Sequence, residues 1–227
     1  IQEASIPNGS RTRKEILLDG VKKSAAEAVG RFSAVIFLPQ MTRIIEGSPD
    51  DRRRFLNMAL SQVVPGYARA LSKYAQVITR RNALLKNLAE QPGQSDQLQY
   101  WDDQLVEYGS QMVLARAMAV KEMEEIAGKM HQKLTGGLEK LELRYQPALN
   151  FNGVSPAEYE LENVRSTFQS NLKEARRKEI ARGVTVCGPH RDDLGFLCND
   201  LALGDFGSRG QVRTAMLSLK LAEVNWM

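Results

Sequence analysis

The sequence predicts a mixed α/β fold in which a long antiparallel helical hairpin is inserted into a body of strands and shorter helices. Residues 1–47 contain short apolar runs and turn signals, which are typical of strands. Residues 48–182 carry their apolar side chains mainly at helical spacing, and residues 183–227 return to a mixture of both patterns. These shifts predict three parts with those bounds, although the pattern leaves the boundary open within residues 139–182.

The composition is that of an ordinary globular protein. Of 227 residues, 43% are hydrophobic and 26% are charged, and 31 Lys+Arg against 27 Asp+Glu give a net charge of +4. Wholesale disorder is excluded, and charges interrupt every apolar stretch that approaches the ~18 residues of a membrane span. Two cysteines provide no disulfide framework, so we expect a cytoplasmic protein without a membrane segment. The chain begins at Ile1 instead of Met, which suggests a piece of a longer protein.

The first part is expected to contain a hairpin and a buried strand. Asp19–Gly20 follows the apolar run Ile16–Leu18, which favours a two-residue hairpin turn. The run Ala34–Leu38 is short, apolar and followed by Pro39, as is typical of a buried strand.

The middle part is expected to be helical. Ser48 precedes a proline and two acids, which predicts a capped helix that runs to about Val64. A second helix starts at Tyr67, and a third runs over residues 96–134, with residues 91–95 as the loop between them. About 39 residues would make the third helix roughly 55–60 Å long. The two long helices form the predicted antiparallel hairpin.

The remaining chain is expected to alternate between strands and helices. In order, the expected elements are a strand over Leu141–Tyr145, a helix from the Ser155 cap to about Arg182, a strand over Val184–Cys187, a hairpin from Leu194 to Ala202 that turns at Asn199–Asp200, and a helix from about Arg209 with Val212, Met216, Leu219 and Val224 facing inward. His131, in the third helix, is expected to be partly exposed.

Two short segments imitate protein kinase motifs, namely His190–Asp192 and Asp205–Gly207. The asparagine that a kinase places five positions after the catalytic aspartate is Leu197 here, and only 20 residues follow Gly207. These mismatches disfavour a kinase.

The segment Phe206–Thr214 indicates a phosphate-contacting helix start. Ser208 and Gly210 stand where a loop enters a helix, and there the free backbone amides and the positive helix end favour an anion. Ser208 can donate a hydroxyl hydrogen bond, and Gln211 can anchor the turn. An ordinary capped helix has the same local pattern, so these residues alone leave both interpretations open.

Several motifs together resemble the RecF family of bacterial recombination mediators. The matching segments are Gly188–Leu194, Phe206–Gln211, Arg11–Ile16, Glu46–Pro49, Arg52–Leu56, Arg80–Lys86, Trp101–Leu105 and Leu141–Tyr145. That family is similar to the heads of structural-maintenance-of-chromosomes ATPases. The resemblance therefore implies an ABC-type ATPase head portion, with residues 1–47 as its β-rich start, 48–182 as the helical arm and 183–227 as the end that bears the signature motif.

The resemblance also implies roles for individual residues. They are Ser208, Arg209, Gly210 and Gln211 as the signature motif; Gln40 as a Q-loop candidate; His190, Arg191 and Asp192 as head-interface candidates; and Arg52, Arg53, Arg80, Arg81, Arg176, Arg177 and Lys178 as DNA-binding candidates. A signature motif contacts the terminal phosphate of ATP held by the opposite subunit. The family usually has glutamine at the positions of Arg209 and Val212. For His190–Asp192, a catalytic role and a structural role in which Arg191 pairs with an acid both stay open, and the basic clusters are either a solvated face or a DNA contact.

Neither ATP-binding signature is present in the chain. No Gly-x-x-x-x-Gly-Lys-Ser/Thr string occurs, and no apolar strand ends in paired acids. We therefore expect ATP and Mg²⁺ to be cofactors of the full-length protein only, and this chain to be inactive alone.

The resemblance implies a mediator of DNA recombination, replication and repair in the SOS response. It would bind DNA and form a homodimer in the presence of ATP at gapped or junction DNA, and help to load recombinase with RecR and RecO. The alternative is a non-enzymatic helical scaffold or a nucleic-acid-binding module. Cys187, His190 and Cys198 suggest zinc, but three ligands without a fourth are a poor set, so no metal is expected.

Overall fold

The computed structural model describes residues 2–4, 13–24, 28, 30–90 and 96–227. Residues 11 and 12 of the Arg11–Ile16 motif and the expected loop 91–95 lie outside the described residues. The strands are β1 (Gln2–Ala4), β2 (Arg13–Leu18), β3 (Val21–Lys23), β4 (Leu141–Gln146), β5 (Asp193–Cys198) and β6 (Leu201–Ala202). The helices are α1 (Arg43–Glu46), α2 (Pro49–Val63), α3 (Tyr67–Glu90), α4 (Gln97–Leu134), α5 (Leu161–Arg182), α6 (Leu203–Phe206) and α7 (Arg209–Trp226), with short 3₁₀ turns at Pro39–Thr42 and Pro156–Glu158.

The described strands form two antiparallel sheets, in the orders β1-β2-β3 and β4-β5-β6. Both predicted hairpin turns are confirmed. Asp19 and Gly20 have φ of 52° and 77°, and Asn199 and Asp200 have φ of 47° and 66°. Two successive positive φ angles match the twist of the flanking strands. In the second sheet Leu141 pairs with Cys198, which places β4 beside the segment that leads into α7.

Two strand predictions are wrong. Residues 34–38 form no strand, and Ile36, Phe37 and Leu38 are exposed. This apolar run has no strand partner among the described residues, and the amide of Ala34 donates to Gln62 Oε1 at 2.8 Å.

Residues 184–187 also form no strand, because two of their amides bond to side chains instead of a neighbouring strand. The amide of Thr185 donates to Asn82 Oδ1 at 2.8 Å, and that of Val186 donates to Glu179 Oε1 at 2.7 Å. These hydrogen bonds tie the segment to α3 and α5.

The predicted helices are present, with one corrected boundary. Ser48 caps α2 in a reciprocal capping box with Asp51. Ser155 caps only the 3₁₀ turn over Pro156–Glu158, and α5 begins later, at Leu161, because the backbone is extended at Tyr159 and Glu160.

The helix α4 forms the centre of the fold. It contains 38 residues, about 57 Å at the helical rise per residue, and packs against α3, α5, α7 and β4. Gly109 permits the close crossing with α5, since a Cβ there would collide with Phe168 and lie 2.9 Å from the Tyr74 ring. None of the described helices combines the length and the hydropathy that a bilayer span requires.

The helix α7 packs against α4 through the face that the sequence predicts, with one exception. Val212, Met216 and Leu219 are buried, whereas Val224 is 57% exposed. A step of five residues from Leu219 rotates Val224 by about 140° away from the buried face, so the inward assignment of Val224 is wrong.

Candidate phosphate-contacting site

The start of α7 is an exposed and firmly capped helix terminus. Ser208 Oγ accepts the amide of Gln211 at 3.2 Å, and Gln211 Oε1 accepts the amide of Ser208 at 3.0 Å. The first amides of a helix have no intrahelical acceptor, and together with the helix dipole they favour an anion. Ser208, Arg209 and Gly210 are exposed to solvent, so an anion can reach these amides.

Glycine occupies positions 207 and 210, on either side of this helix start, for different physical reasons. A Cβ at Gly207 would lie 2.6 Å from the carbonyl oxygen of Leu203, so packing against α6 requires glycine there. A Cβ at Gly210 would meet only Ser208 Oγ, at 3.8 Å. Packing does not require Gly210, and its bare backbone leaves room for a ligand.

Behind the helix start lies a set of hydrogen bonds that the sequence did not predict. Gln211 Nε2 donates to Glu139 Oε1 at 3.0 Å, Glu139 Oε2 lies 3.0 Å from His131 Nε2, and His131 Nδ1 lies 3.1 Å from Ser218 Oγ. The hydrogen bond from Gln211 is the main reason that the pKa of Glu139 is lowered. His131 is 0% exposed, so the expected partial exposure is wrong, because α7 covers that face of α4.

Three side chains of the types that ligate zinc also meet at this point. His131, Glu139 and Cys198 each offer one ligand atom, and these atoms lie within 4.8 Å of one another. The side chains of His131 and Glu139 already form hydrogen bonds with each other and with α7. Burial raises the pKa of the Cys198 thiol to about 11. We interpret the cluster as a hydrogen-bond network. Within the described residues, Cys187, His190 and Cys198 form no such group.

The segment Gly188–Asp193 joins the arm helices to β4. Asp192, which is 1% exposed, accepts hydrogen bonds from Arg116 Nη1 at 2.8 Å, from the Tyr145 hydroxyl at 2.5 Å and from the Ala148 amide at 2.9 Å. Asp192 pairs with Arg116 of α4, whereas Arg191 is exposed. The burial of Asp192 removes it from the residues that can contact another subunit.

His190 lies half-buried against α3. Its Nδ1 is 2.8 Å from the Tyr74 hydroxyl and its Nε2 is 3.2 Å from the Thr185 carbonyl oxygen. Burial lowers the pKa of His190 to about 4. His190 also lines a cavity of about 860 Å³ between α2 and α3, together with Arg53 and Arg116. Of the three head-interface candidates, Arg191 alone is exposed.

Four of the basic candidates are engaged within the fold. Arg52 forms two hydrogen bonds to Asp193, at 2.6 and 2.9 Å, and Arg53 binds Asp50 and the Asp192 carbonyl oxygen. Burial alone would raise the pKa of Asp193, but the hydrogen bonds from Arg52 and the Leu194 amide lower it overall.

The other two engaged arginines bind Asp102. Arg81 is fully buried and contacts one oxygen of Asp102, and the half-buried Arg176 binds the other oxygen at 2.6 Å. The position of Arg81 removes it from the set that can contact DNA. Arg80, Arg177 and Lys178 are exposed.

Gln40, the Q-loop candidate, lies exposed in the 3₁₀ turn Pro39–Thr42. This turn packs against α7. The fold thus brings the Q-loop candidate and the signature candidate onto neighbouring elements, although they are far apart in sequence.

A long helical arm beside a small antiparallel sheet, with an exposed serine-capped helix start, defines part of an ABC-type ATPase head. Within this class, the chain belongs to the RecF family. It is 36% identical over 213 residues to the DNA replication and repair protein RecF of Desulforamulus reducens, a match that covers 93% of this chain and 56% of that relative. The RecF of Lachnoclostridium phytofermentans is 40% identical over 212 residues, covering 93% of this chain and 55% of the relative. The chain thus spans a little over half the length of these relatives.

The likeness extends to solved structures. Two structures of the recombination mediator protein RecF in the RecFOR pathway, one with ATP and one with ATPrS, match with a TM-score of 0.86 and 31% sequence identity. Each match covers 94% of this chain and 56% of the solved chain. No family model matches the chain.

Proposed function

We propose that this chain is the arm and signature-bearing part of an ATP-dependent DNA replication and repair protein. In this proposal the amides near Gly210 and the Ser208 hydroxyl contact the terminal phosphate of ATP that a second subunit holds. The observation that carries the proposal is the exposed start of α7, where Gly210 leaves the backbone open to a ligand. The similar RecF structures with ATP and ATPrS support it.

ATP would then act as the bridge of a homodimer. The full-length protein would supply the phosphate-binding loop and the Mg²⁺ ligands, and this chain would stabilise charge on the terminal phosphate across the interface. Arg209 would add a positive charge beside the phosphate. A cytoplasmic location stays a prediction.

On the same basis we propose that the dimer binds DNA at gaps or junctions and helps to load recombinase with RecR and RecO. The description of the similar RecF structures as belonging to the RecFOR pathway supports these partners. The exposed Arg177 and Lys178 on α5 are the basic residues best suited to phosphate contacts.

The two capping boxes allow a matched test in the full-length protein. Ser208→Ala and Ser48→Ala each remove an equivalent cap and should each cost about 1 kcal/mol of stability. Only Ser208→Ala should weaken ATP-dependent dimerisation, measured by sedimentation, and Ser208→Arg should abolish it because the larger side chain blocks the phosphate. ATP affinity of the monomer should stay unchanged in all variants.

The competing function is a non-enzymatic scaffold in which Ser208 only caps a helix. The complete reciprocal hydrogen bonding of Ser208 and Gln211 favours this alternative. It predicts that Ser208→Ala and Ser48→Ala behave alike and that ATP leaves the oligomeric state unchanged; either result would contradict the proposed function.

A further inference from the structure

The side chain of Gln211 forms hydrogen bonds to two partners of different kinds. Its Oε1 accepts the amide of Ser208, and its Nε2 donates to Glu139 Oε1, both at 3.0 Å. A carboxylate can only accept, so Glu139 fixes which end of the amide group faces Ser208. The orientation of Gln211, and with it the Ser208 turn, therefore depends on Glu139.

Glu139 is itself held from two sides. Its second oxygen lies 3.0 Å from His131 Nε2. Asn199 binds the backbone of the next residue, Lys140. Its side-chain Oδ1 accepts the Lys140 amide at 2.8 Å, and its backbone amide donates to the Lys140 carbonyl oxygen at 3.0 Å. The carboxylate thus has little freedom to leave Gln211.

His131 connects this set to the arm. It lies in the last turn of α4, is fully buried, and its Nδ1 lies 3.1 Å from Ser218 Oγ. Ser218 and Gln211 are seven residues apart on α7, which is two helical turns on one face. The end of the arm helix is therefore attached to α7 at two levels, directly through Ser218 and through Glu139 at Gln211.

We propose that His131 and Glu139 are positioning residues that couple the end of the arm helix α4 to the signature segment Ser208–Gln211. A displacement or rotation of α4 moves His131, changes the hold of Glu139 on Gln211, and so alters the presentation of the Ser208 hydroxyl and of the amides near Gly210. The coupling makes the nucleotide contact of the head sensitive to whatever the arm binds. This inference rests on the proposed function of the signature segment.

The first measurement is amide hydrogen exchange at residues 208–211 in the nucleotide-free full-length protein. Glu139→Ala removes a charge-assisted hydrogen bond and should speed exchange of the Ser208 amide by about tenfold. Glu139→Gln keeps an acceptor for Gln211 and should stay near the wild-type rate. The control is Glu142→Ala, because Glu142 is a nearby acid whose ion pairs within the described residues are with Lys140 and Arg144. Unchanged exchange in Glu139→Ala would overturn the inference.

The second measurement is ATP-dependent dimerisation of the same variants, with Ser208→Arg alongside. Glu139→Ala and His131→Ala should each raise the protein concentration at half-dimerisation by about tenfold with the monomer's ATP affinity unchanged. Normal dimerisation in Glu139→Ala while Ser208→Arg is defective would overturn this inference alone. Normal dimerisation in Ser208→Arg would overturn the proposed function, and the inference with it.

Discussion

His190 is kept neutral by its surroundings. It accepts or donates hydrogen bonds at both ring nitrogens, to the Tyr74 hydroxyl and the Thr185 carbonyl. A neutral ring, with one donor and one acceptor nitrogen, satisfies both partners. Burial is the largest cause of its pKa of about 4, and Arg191 lowers it further while Asp192 acts in the opposite direction. The residue therefore resembles a structural link between the Gly188–Asp193 segment and α3 more than an acid–base group.

This environment predicts a defined pH dependence of stability. Between pH 6.5 and about 4, unfolded His190 binds a proton that the folded state excludes, so stability falls as the pH falls through this window. The loss is at most about 3 kcal/mol. Urea unfolding at several pH values gives the free energy of unfolding as a function of pH. Between pH 6.5 and about 4 this free energy should fall less steeply for His190→Gln than for wild type. An equal fall in both proteins would contradict the burial of a neutral imidazole.

At the scale of elements, one guanidinium joins three helices. Arg81 of α3 donates to Asp102 of α4 at 2.8 Å, to Glu179 of α5 at 2.6 Å and to Thr185 at 2.8 Å. Burial alone would lower the pKa of Arg81, but the two carboxylates raise it overall. Because every nitrogen of the group has a partner, the cluster fixes how α3, α4 and α5 cross.

Removing this guanidinium should destabilise the arm strongly. Arg81→Met leaves the buried Glu179 without its cation and Asp102 with Arg176 as its remaining cation, and should cost about 3–5 kcal/mol in the free energy of unfolding. The neighbouring Arg80→Met is the control, since Arg80 is exposed and stacks over Trp101 at 5.8 Å; its loss should cost less than about 1 kcal/mol. Thermal and urea unfolding compare the two. Equal effects would refute the structural role of Arg81.

Across the whole molecule, the positions of the basic residues say more about DNA binding than the net charge does. The net charge of +4 is too small to indicate a DNA-binding protein. Arginines 52, 53, 81 and 176 are paired inside the fold. The exposed basic side chains of α5 are Lys173, Arg177, Lys178 and Arg182. These four are the positive charges of α5 that a phosphate backbone can reach.

If α5 contacts DNA, its exposed charges should set the salt dependence of binding. Arg177→Glu with Lys178→Glu should weaken binding and reduce the slope of log K against log salt by about 1–2, as expected for one or two lost phosphate contacts. Fluorescence anisotropy at several salt concentrations measures the slope. The pair Lys121→Glu and Lys129→Glu, two exposed lysines on α4, makes the same charge change. An equal loss in both pairs would show a net-charge effect and argue against a site on α5.

Local patterns predicted most elements of the fold. The caps at Ser48 and Ser208, the turns at Asp19–Gly20 and Asn199–Asp200, and the long helix α4 depend on neighbouring residues, so the sequence contains their causes. The two wrong strands have a common cause. A strand needs a partner, and the amides of Thr185 and Val186 find side-chain acceptors on α3 and α5 instead. No local pattern contains that information.

Local sequence patterns are sufficient to predict the helical arm, the hairpin turns, the capped start of α7 and the resemblance to the RecF family. Which charges are exposed, and which support the site, depends on how the helices pack. Arg80 and Arg81 are adjacent, yet one is exposed and the other is 0% exposed, because consecutive residues of a helix point about 100° apart. His131, Glu139 and Gln211 meet for a different reason. The packing of α4 against α7, with Glu139 in the segment that follows α4, brings together groups that are up to 80 positions apart in the chain.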